Sequence, residues 1–182
     1  MEYKFSVALT DDDYLAYNKF HMTTHPAGKR LLTKMRIAIP IVFLVVFAVI
    51  GIVQKDTIPP RLLGILWVVA SVYGIVSAKR LTMRATKKNL KRMKEKGVNL
   101  YSKASTITCD DEYITEVTPE TEVKKKLSTL KQIYVAQTAV YIYMEESRAF
   151  LIPLRAFPDE QTRVEFTKFI QQKIAANSTA TQ

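Results

Sequence analysis

Two uncharged apolar stretches, residues 37–53 and 62–78, constrain this chain more than any other feature of its sequence. Each contains 17 residues, and a helix of that length extends about 25 Å, the short end of what crosses a bilayer. Only the eight residues QKDTIPPR separate the two stretches. Two such segments in succession, flanked by basic residues, are rare in a water-soluble core. The pattern therefore predicts a two-helix transmembrane hairpin.

The charges beside the stretches predict its orientation. Four basic residues precede the first stretch within nine positions and nine follow the second within 18, whereas the connecting loop has Lys55 and Arg61 against Asp56. Basic residues near the ends of spans stay in the cytoplasm. We therefore expect a multi-pass protein with both termini cytoplasmic. The first stretch lacks a small-residue cleavage site, which argues against a removable signal peptide.

The position of the positive charge excludes nucleic acid as the expected partner. The net charge is +10, but residues 29–96 contain 15 basic and 2 acidic residues, and the rest of the chain contains 12 basic and 15 acidic ones. The excess therefore lies beside the spans. Topology and attraction to anionic headgroups, worth about 1 kcal/mol per basic residue, explain this distribution. The expected partner is the lipid bilayer, with no nucleic acid.

The chain divides into five predicted parts. They are an N-terminal strand and short helix (1–28), the hairpin (29–80), a basic juxtamembrane helix (81–97), a cytoplasmic β-domain with a C-terminal helix (98–176) and a disordered tail (177–182). The strand is predicted by apolar residues at positions 3, 5, 7 and 9. Three aspartates at 11–13 suit a helix N-terminus, and Pro26 and Gly28 are expected to end that helix. A lone strand needs a partner, and the β-domain is the obvious donor, in the same chain or in a neighbour.

Six further strands are predicted in the β-domain, at residues 101–109, 113–118, 122–129, 133–135, 139–144 and 149–154. The last two form a hairpin in which Val140, Ile142 and Met144 face the same side as Phe150, Ile152 and Leu154. Pro153 indicates a sheet edge or a strand terminus. Pro158 then opens an amphipathic helix that we expect to cap the sheet.

The spans carry small residues but no acidic, basic or amide side chains. Gly64, Ser71, Gly74 and Ala78 lie on roughly one face of the second helix, which favours close packing against the first. Ion pathways normally need charged or amide groups inside the membrane, and the two stretches have none. The sequence therefore argues against a channel or transporter formed by this hairpin alone.

The basic helix after the hairpin supplies candidate contacts to anionic lipids. These are Arg80, Arg84, Lys87, Lys88, Lys91 and Arg92. Two interpretations are open: a sensor of anionic lipid, and a positively charged anchor and spacer. The second is the simpler, and Gly97 is predicted to end this helix.

Two segments resemble a known family. One is DYLAYNKFHMTTHPAGKR (13–30), directly before the hairpin; the other is LSTLKQIYVAQTAVYIYMEESRAFLIPLRAF (127–157), followed by an amphipathic helix. Their order and an Ile-Pro-x-x-x-Phe element at 152–157 resemble the YcxB-like membrane proteins of bacteria, although Leu127 stands where many members have Trp. The resemblance implies a bacterial inner-membrane protein whose small cytoplasmic β-rich domain is partly pleckstrin-homology-like. It lends no catalytic residue and no settled activity.

Candidate residues for chemistry are few. His21 and His25 have a spacing that places two imidazoles on one helical face, but a third metal ligand is missing. Cys109 has no histidine nearby in sequence and is expected to be a small buried hydrophobe. The acidic runs at 110–112 and 145–146 suit turns. With no phosphate loop or nucleophile elbow in the chain, we expect no catalytic residues, no metal and no cofactor.

Two surfaces are candidates for binding. Tyr134, Tyr141 and Tyr143 form an aromatic stripe, which is either an interaction surface or a sheet face covered by the N-terminal segment. Lys124, Lys125 and Lys126 either contact anionic headgroups or protect a strand edge.

The resulting prediction is an α+β membrane protein, a transmembrane hairpin joined to a cytoplasmic antiparallel β-sheet domain with a C-terminal helix. Its expected role is non-catalytic, as an interaction or regulatory module at the membrane surface. The alternatives are a module that binds anionic lipid headgroups and an accessory subunit of a transporter or export complex, with a membrane-protein partner or a homo-oligomer.

Overall fold

The computed structural model describes residues 2–54 and 57–179. The loop residues Lys55 and Asp56, and residues 180–182 of the expected tail, lie outside the described residues. The chain forms two compact units: Met1–Phe20 with Leu90–Gln182, and His21–Asn89. Segments on both sides of the two apolar stretches thus build the first unit together.

The described residues contain four α-helices and seven strands, so the fold is α+β, as predicted. In chain order they are β1 (Tyr3–Val7), α1 (Asp11–Thr23), α2 (Pro26–Val53), α3 (Pro60–Glu95), β2 (Ser105–Cys109), β3 (Tyr113–Val117), β4 (Glu122–Lys126), β5 (Gln132–Val135), β6 (Ala139–Tyr143), β7 (Ala149–Pro153) and α4 (Glu160–Thr179). Short 3-10 turns lie at Leu127–Thr129 and Leu154–Ala156.

The strands form two antiparallel sheets, one in the order β1-β2-β3-β4 and one in the order β5-β6-β7. The N-terminal strand pairs with β2 of the same chain, in a register that sets Tyr3 opposite Cys109 and Val7 opposite Ser105. This answers the question that the sequence left open about the donor of its partner strand. The β-hairpin predicted for the last two strands is also confirmed, because Val140 lies opposite Ile152 and Ile142 lies opposite Phe150.

The core of this unit is built from alternating strand residues and one face of α4. Phe5, Ile107, Ile142 and Phe150 are buried, and α4 adds Phe166 to them. Asp159 starts α4, because its Oδ1 accepts a hydrogen bond from Thr162 N at 2.6 Å. The helix continues to Thr179, into the segment that the sequence predicts as a tail. The apolar side chains that alternate along the strands and those on one face of α4 therefore pack in the same core.

Two strands are shorter than the sequence predicts by three or more residues. Only Ser105–Cys109 of the first strand predicted after the hairpin pairs in the sheet. The strand predicted at 122–129 ends at Lys126, where the chain turns and buries Leu127. A buried side chain on the turn anchors it, which is why an apolar residue there does not continue the strand.

The second unit contains the apolar helices. Both α2 and α3 are long and apolar enough, by length and composition, to cross a membrane. They pack closely at Gly74, where an added Cβ would lie 2.5 Å from Ile39 Cγ2. Trp67 Nε1 also donates a hydrogen bond to the Pro40 carbonyl at 3.0 Å. Gly64 has no neighbouring atom within 4 Å of a built Cβ, so the predicted small-residue packing does not extend to it.

The junctions of these helices differ in part from the prediction. Pro26 begins α2 instead of only ending α1, because a proline suits the first helical position. Gly28 lies inside α2, where a Cβ would be 2.0 Å from the His21 carbonyl oxygen. At the other end, Gly97 has a φ of +74° and follows α3, as predicted. Gly97 N and Val98 N bond the carbonyls of Lys94 and Met93, each at 2.9 Å, which is a Schellman cap.

Candidate functional site

A bidentate ion pair joins the N-terminal segment to the end of the second sheet. Arg155 Nη1 and Nη2 donate to Asp13 Oδ1 and Oδ2 at 2.9 and 2.5 Å, and Nη2 also donates to the Ala8 carbonyl at 2.6 Å. Thr10 N and Oγ1 donate to Asp13 Oδ2 at 2.8 and 2.7 Å. Asp13 N returns a bond to Thr10 Oγ1 at 3.3 Å, so Thr10 and Asp13 cap α1 reciprocally.

The same contacts set the ionisation of Asp13. The side chain is only 8% exposed. The guanidinium of Arg155 and then the bonds from Thr10 lower the pKa of Asp13 to about 2, against burial, which opposes the charge. The carboxylate is therefore ionised at neutral pH and depends on Arg155 for its partner.

A second polar contact holds the start of α1. Lys94 Nζ donates to Asp11 Oδ1 at 2.5 Å, and the Tyr101 hydroxyl bonds the same oxygen. The Tyr14 and Tyr101 rings stack with centroids 5.6 Å apart. Lys94 and Tyr101 lower the pKa of Asp11, in that order. Two of the three aspartates at 11–13 thus bind residues from the C-terminal half of the chain, a role beyond the helix start that the sequence predicts.

The aromatic stripe is mostly covered. Tyr141 and Tyr143 are 1% and 0% exposed. Tyr17 and Phe20 of α1 contact Tyr141 with ring centroids 5.4 and 4.9 Å apart. Burial raises the pKa of Tyr143. These two tyrosines therefore belong to a second core beneath α1 and offer no exposed surface, which corrects the interaction-surface interpretation for them.

Tyr134 is the member of the stripe that stays accessible, as a half-buried residue on β5. Its ring packs edge-on against Phe20 and Tyr143, with centroids 5.3 and 5.7 Å away. Its hydroxyl donates to Gln132 Oε1 at 2.7 Å. Tyr134 therefore marks the boundary between the covered face of the sheet and the surface along β5.

The six basic candidates for lipid contact, Arg80, Arg84, Lys87, Lys88, Lys91 and Arg92, are all exposed on α3. At about 100° per residue they occupy one arc of roughly 140°. Lys91 also lies 3.9 Å from Glu95, an exposed pair that leaves its charge accessible. The arrangement gives one side of α3 a continuous positive charge.

The three lysines on β4 have partners within their own unit. Lys124 Nζ lies 4.3 Å from the centroid of the Tyr113 ring. Lys125 and Lys126 pair with Glu145 and Glu112, each at 3.6 Å. Because β4 is an edge strand of its sheet, this arrangement fits edge protection better than a headgroup site.

The histidines, the cysteine and the acidic turn residues singled out in the sequence make contacts that belong to the fold. The His21 and His25 rings stack with centroids 5.0 Å apart, and His25 Nδ1 accepts a bond from Ala27 N at the start of α2. Within the described part of the chain, no cluster of three or more potential metal ligands occurs. Cys109 is buried, and burial raises the pKa of its thiol to about 12. Asp110 Oδ1 accepts bonds from Glu112 N and Tyr113 N at 2.7 and 2.6 Å, which is turn chemistry.

Among the described residues of the first unit, two depressions border the elements named above. The larger, of about 610 Å³, lies between α1, the segment before β2 and the β3–β4 turn. Its charged lining has both signs, with Lys103 and Arg148 against Glu116 and Glu120, and so lacks the single sign expected around a phosphate. The smaller, of about 230 Å³, lies between β5 and α4 and is mostly apolar.

Arg155 is the important residue that sequence reasoning missed. It lies within the Ile-Pro-x-x-x-Phe element, but no periodicity or spacing connects it to an aspartate near the N-terminus. A capping pattern does mark Thr10 and Asp13 in the sequence. The ion pair itself follows from the packing of the two sheets, which brings β1 beside β7 and the turn at Leu154–Ala156.

A comparison with known protein families finds a match to one part of the chain. The family model described as YcxB-like protein matches residues 109–170, which extend from the end of β2 into α4. No curated protein and no solved structure matches the chain. The match confirms the resemblance found in the sequence for residues 109–170, which are similar to the YcxB-like protein family.

Proposed function

We propose that this chain is a non-catalytic, multi-pass protein of the bacterial inner membrane. In this proposal α2 and α3 form a transmembrane hairpin, and both termini lie in the cytoplasm. The first unit then acts as an interaction or regulatory domain tethered at the membrane surface. The established part of this account is the YcxB-like match; the role, the location and the orientation are proposals.

The observation that carries the proposal is the pairing of β1 with β2. The chain leaves the sheet after Val7, passes through two apolar helices, and returns to the same sheet at Ser105. A chain that crosses a bilayer twice returns to the side from which it departed. An even number of spans between the two strands is therefore what a shared sheet requires.

The chemistry of the helices supports the membrane part of the proposal. Large apolar side chains such as Ile41, Val45 and Val69 are more than half exposed in the structure, which water disfavours and lipid does not. Such exposure over two successive helices fits a bilayer environment. The concentration of positive charge at their non-loop ends supports the cytoplasmic orientation.

The architecture supports a binding role over catalysis. Two antiparallel sheets of four and three strands, followed by a C-terminal helix, agree with the pleckstrin-homology-like domain that the resemblance implies. The titratable groups with the clearest partners, Asp13 and Asp11, connect segments of the fold. Because these carboxylates hold segments of the domain together, they favour a domain that binds a partner over one that catalyses a reaction.

Cysteine labelling tests the topology. In a Cys109→Ser background, Thr57→Cys lies in the helix connection and Glu120→Cys in the β3–β4 turn. A membrane-impermeant maleimide is added to spheroplasts and to inverted membrane vesicles. We expect Thr57→Cys to react in spheroplasts only and Glu120→Cys in inverted vesicles only. Labelling of both positions from the same side would overturn the proposal.

A second candidate function is binding of anionic lipid headgroups, which the basic arc of α3 favours. Such binding is salt-sensitive and depends on the six arc residues. An accessory subunit of a transporter or export complex, the other alternative, predicts a polytopic partner that co-purifies after mild detergent extraction.

A further inference from the structure

Strand β5 has a free edge. It is the outer strand of the three-stranded sheet, and Ala136 N bonds the Ala139 carbonyl at 2.9 Å. Because hydrogen-bonded pairs alternate along an antiparallel ladder, Tyr134 then bonds with Tyr141, and the backbone groups of Ile133 and Val135 point away from β6. Among the described residues, neither backbone makes a hydrogen bond outside the sheet.

This edge lacks the protection found on the other outer strands. The strands at the remaining edges contain lysine or proline: β1 has Lys4, β4 has three lysines and β7 ends at Pro153. Charges and prolines of this kind prevent unwanted strand pairing. The sequence of β5 is QIYV, with no charge and no proline, and Val135 is 50% exposed. An edge left open in this way is suited to pairing with another strand.

An apolar groove runs beside the edge. The residues of β5 form one wall, and Gln171, Ile174 and Ala175 of α4 form the other. A strand added to β5 would turn alternate side chains toward α4, where the groove offers a volume of about 230 Å³. The geometry thus combines backbone pairing, which gives affinity, with a pocket for alternate side chains, which gives specificity.

The charge of the groove indicates the occupant. Lys131 is the charged residue in its described lining, which includes no acidic group. An extended segment with an acidic residue near Lys131 complements this charge, whereas a basic segment is repelled. A second copy of β5 would bring another lysine into the interface and no carboxylate.

We propose that an acidic extended segment of a partner protein binds this domain by adding a strand to the edge of β5, with alternate apolar side chains in the groove against α4. This inference rests on the interaction role proposed above and names the chemistry of the partner. It assigns affinity to the outward backbone groups of Ile133 and Val135 and charge selection to Lys131.

The test uses the full-length protein in nanodiscs of neutral lipid. A displayed library of eight-residue segments, with alternating randomised positions and one fixed glutamate, is selected for binding, and a second library carries lysine in its place. Val135→Pro removes the outward N–H and leaves the bonds to β6 intact, while Val135→Thr keeps the N–H as a matched control. Thermal unfolding and circular dichroism confirm that both variants fold.

We expect the glutamate library to yield binders with alternating apolar residues. Val135→Pro should weaken them by about tenfold or more, and Val135→Thr by less than about twofold. Lys131→Glu should reverse the choice of library, to the lysine segments. Among alternately N-methylated versions of a binder, the one with methyl groups facing β5 should lose binding.

Three results would overturn the inference. They are no enrichment from the glutamate library, binders that tolerate Val135→Pro, and a disulfide between Val135→Cys residues of two copies in native membranes, in the Cys109→Ser background, which would assign the edge to self-association. The labelling of Thr57→Cys and Glu120→Cys is unaffected by these outcomes. A failure here is therefore distinguishable from a failure of the proposed topology.

Discussion

Asp13 and Arg155 form a bidentate ion pair although 142 positions separate them in the sequence. The pair closes a domain whose parts lie on both sides of the two apolar helices in the chain. Because Asp13 is buried and also caps α1, the pair connects the start of a helix, the end of β7 and the loop at Ala8. Its loss should affect the whole domain.

Arg155→Met tests the energetic importance of this pair. The substitution leaves the Asp13 carboxylate buried without its main partner, which should cost about 2–4 kcal/mol of unfolding free energy. Arg163→Met, which removes a pair with the exposed Glu160 on α4, is the control and should cost less than about 1 kcal/mol. Denaturant unfolding of the full chain in micelles measures both. Equal losses of unfolding free energy in the two variants would show that the Asp13 pair contributes no more stability than the exposed pair on α4.

Stability should depend on pH through Asp13. Its pKa is lowered from the ordinary 3.8 to about 2 in the folded state, so the unfolded state binds the proton first as pH falls. The resulting stabilisation, about 1–2 kcal/mol, is complete above about pH 5 and is lost as the pH approaches 2. Unfolding of the native protein and of Asp13→Asn is compared from pH 2 to 6. The difference in unfolding free energy between the native protein and Asp13→Asn should shrink as the pH falls. A difference that stays constant would contradict the lowered pKa of Asp13.

Close packing of α2 and α3 should depend on Gly74 and not on Gly64. A side chain at position 74 meets the branched Ile39 side chain, whereas position 64 is open. Gly74→Leu should therefore cost about 1–3 kcal/mol, and Gly64→Leu should be nearly neutral. Thermal unfolding in micelles, followed by circular dichroism, distinguishes the two. A larger loss from Gly64→Leu would contradict the packing described.

The basic arc should retain anionic lipid. Replacing Arg84, Lys87 and Lys91 by Gln should weaken this attraction by about 1 kcal/mol per residue at low salt, and less at high salt. Replacing the β4 lysines 124–126 by Gln is the matched control, since these have partners within the domain. Quantifying the anionic phospholipid that co-purifies with each variant gives the measurement. Equal depletion by both triple substitutions would exclude a specific role of α3.

Sequence patterns predict most helices and strands because the bounds of these elements depend mainly on residues that are close together in the chain. The alternation around Val140 and Phe150 predicted a hairpin with one buried face, and the structure has it. Gly97 was recognised as the end of α3 because only glycine readily takes the left-handed conformation of that cap. The helices α2 and α3 are longer than the two predicted spans, because segments with basic residues continue α2 at its start and α3 at its end.

The contacts within the domain were harder to predict because they join distant segments. For Tyr141 and Tyr143 the sequence leaves open an interaction surface and a face covered by the N-terminal segment, because only the position of α1 decides that Tyr17 and Phe20 cover them. Arg155 likewise has no local pattern that assigns it to Asp13. The groove at β5 also depends on the placement of α4, which sequence periodicity does not fix.

The most direct test of the central claim joins β1 to β2 by a disulfide in native membranes. Lys4 lies opposite Thr108 in the register, so Lys4→Cys with Thr108→Cys, in the Cys109→Ser background, should form an intrachain bond on mild oxidation. Lys4→Cys with Thr115→Cys, one strand further across, should not. Efficient intrachain cross-linking of the first pair alone is the predicted result. Only interchain products, or none, would contradict a domain built from both ends of the chain.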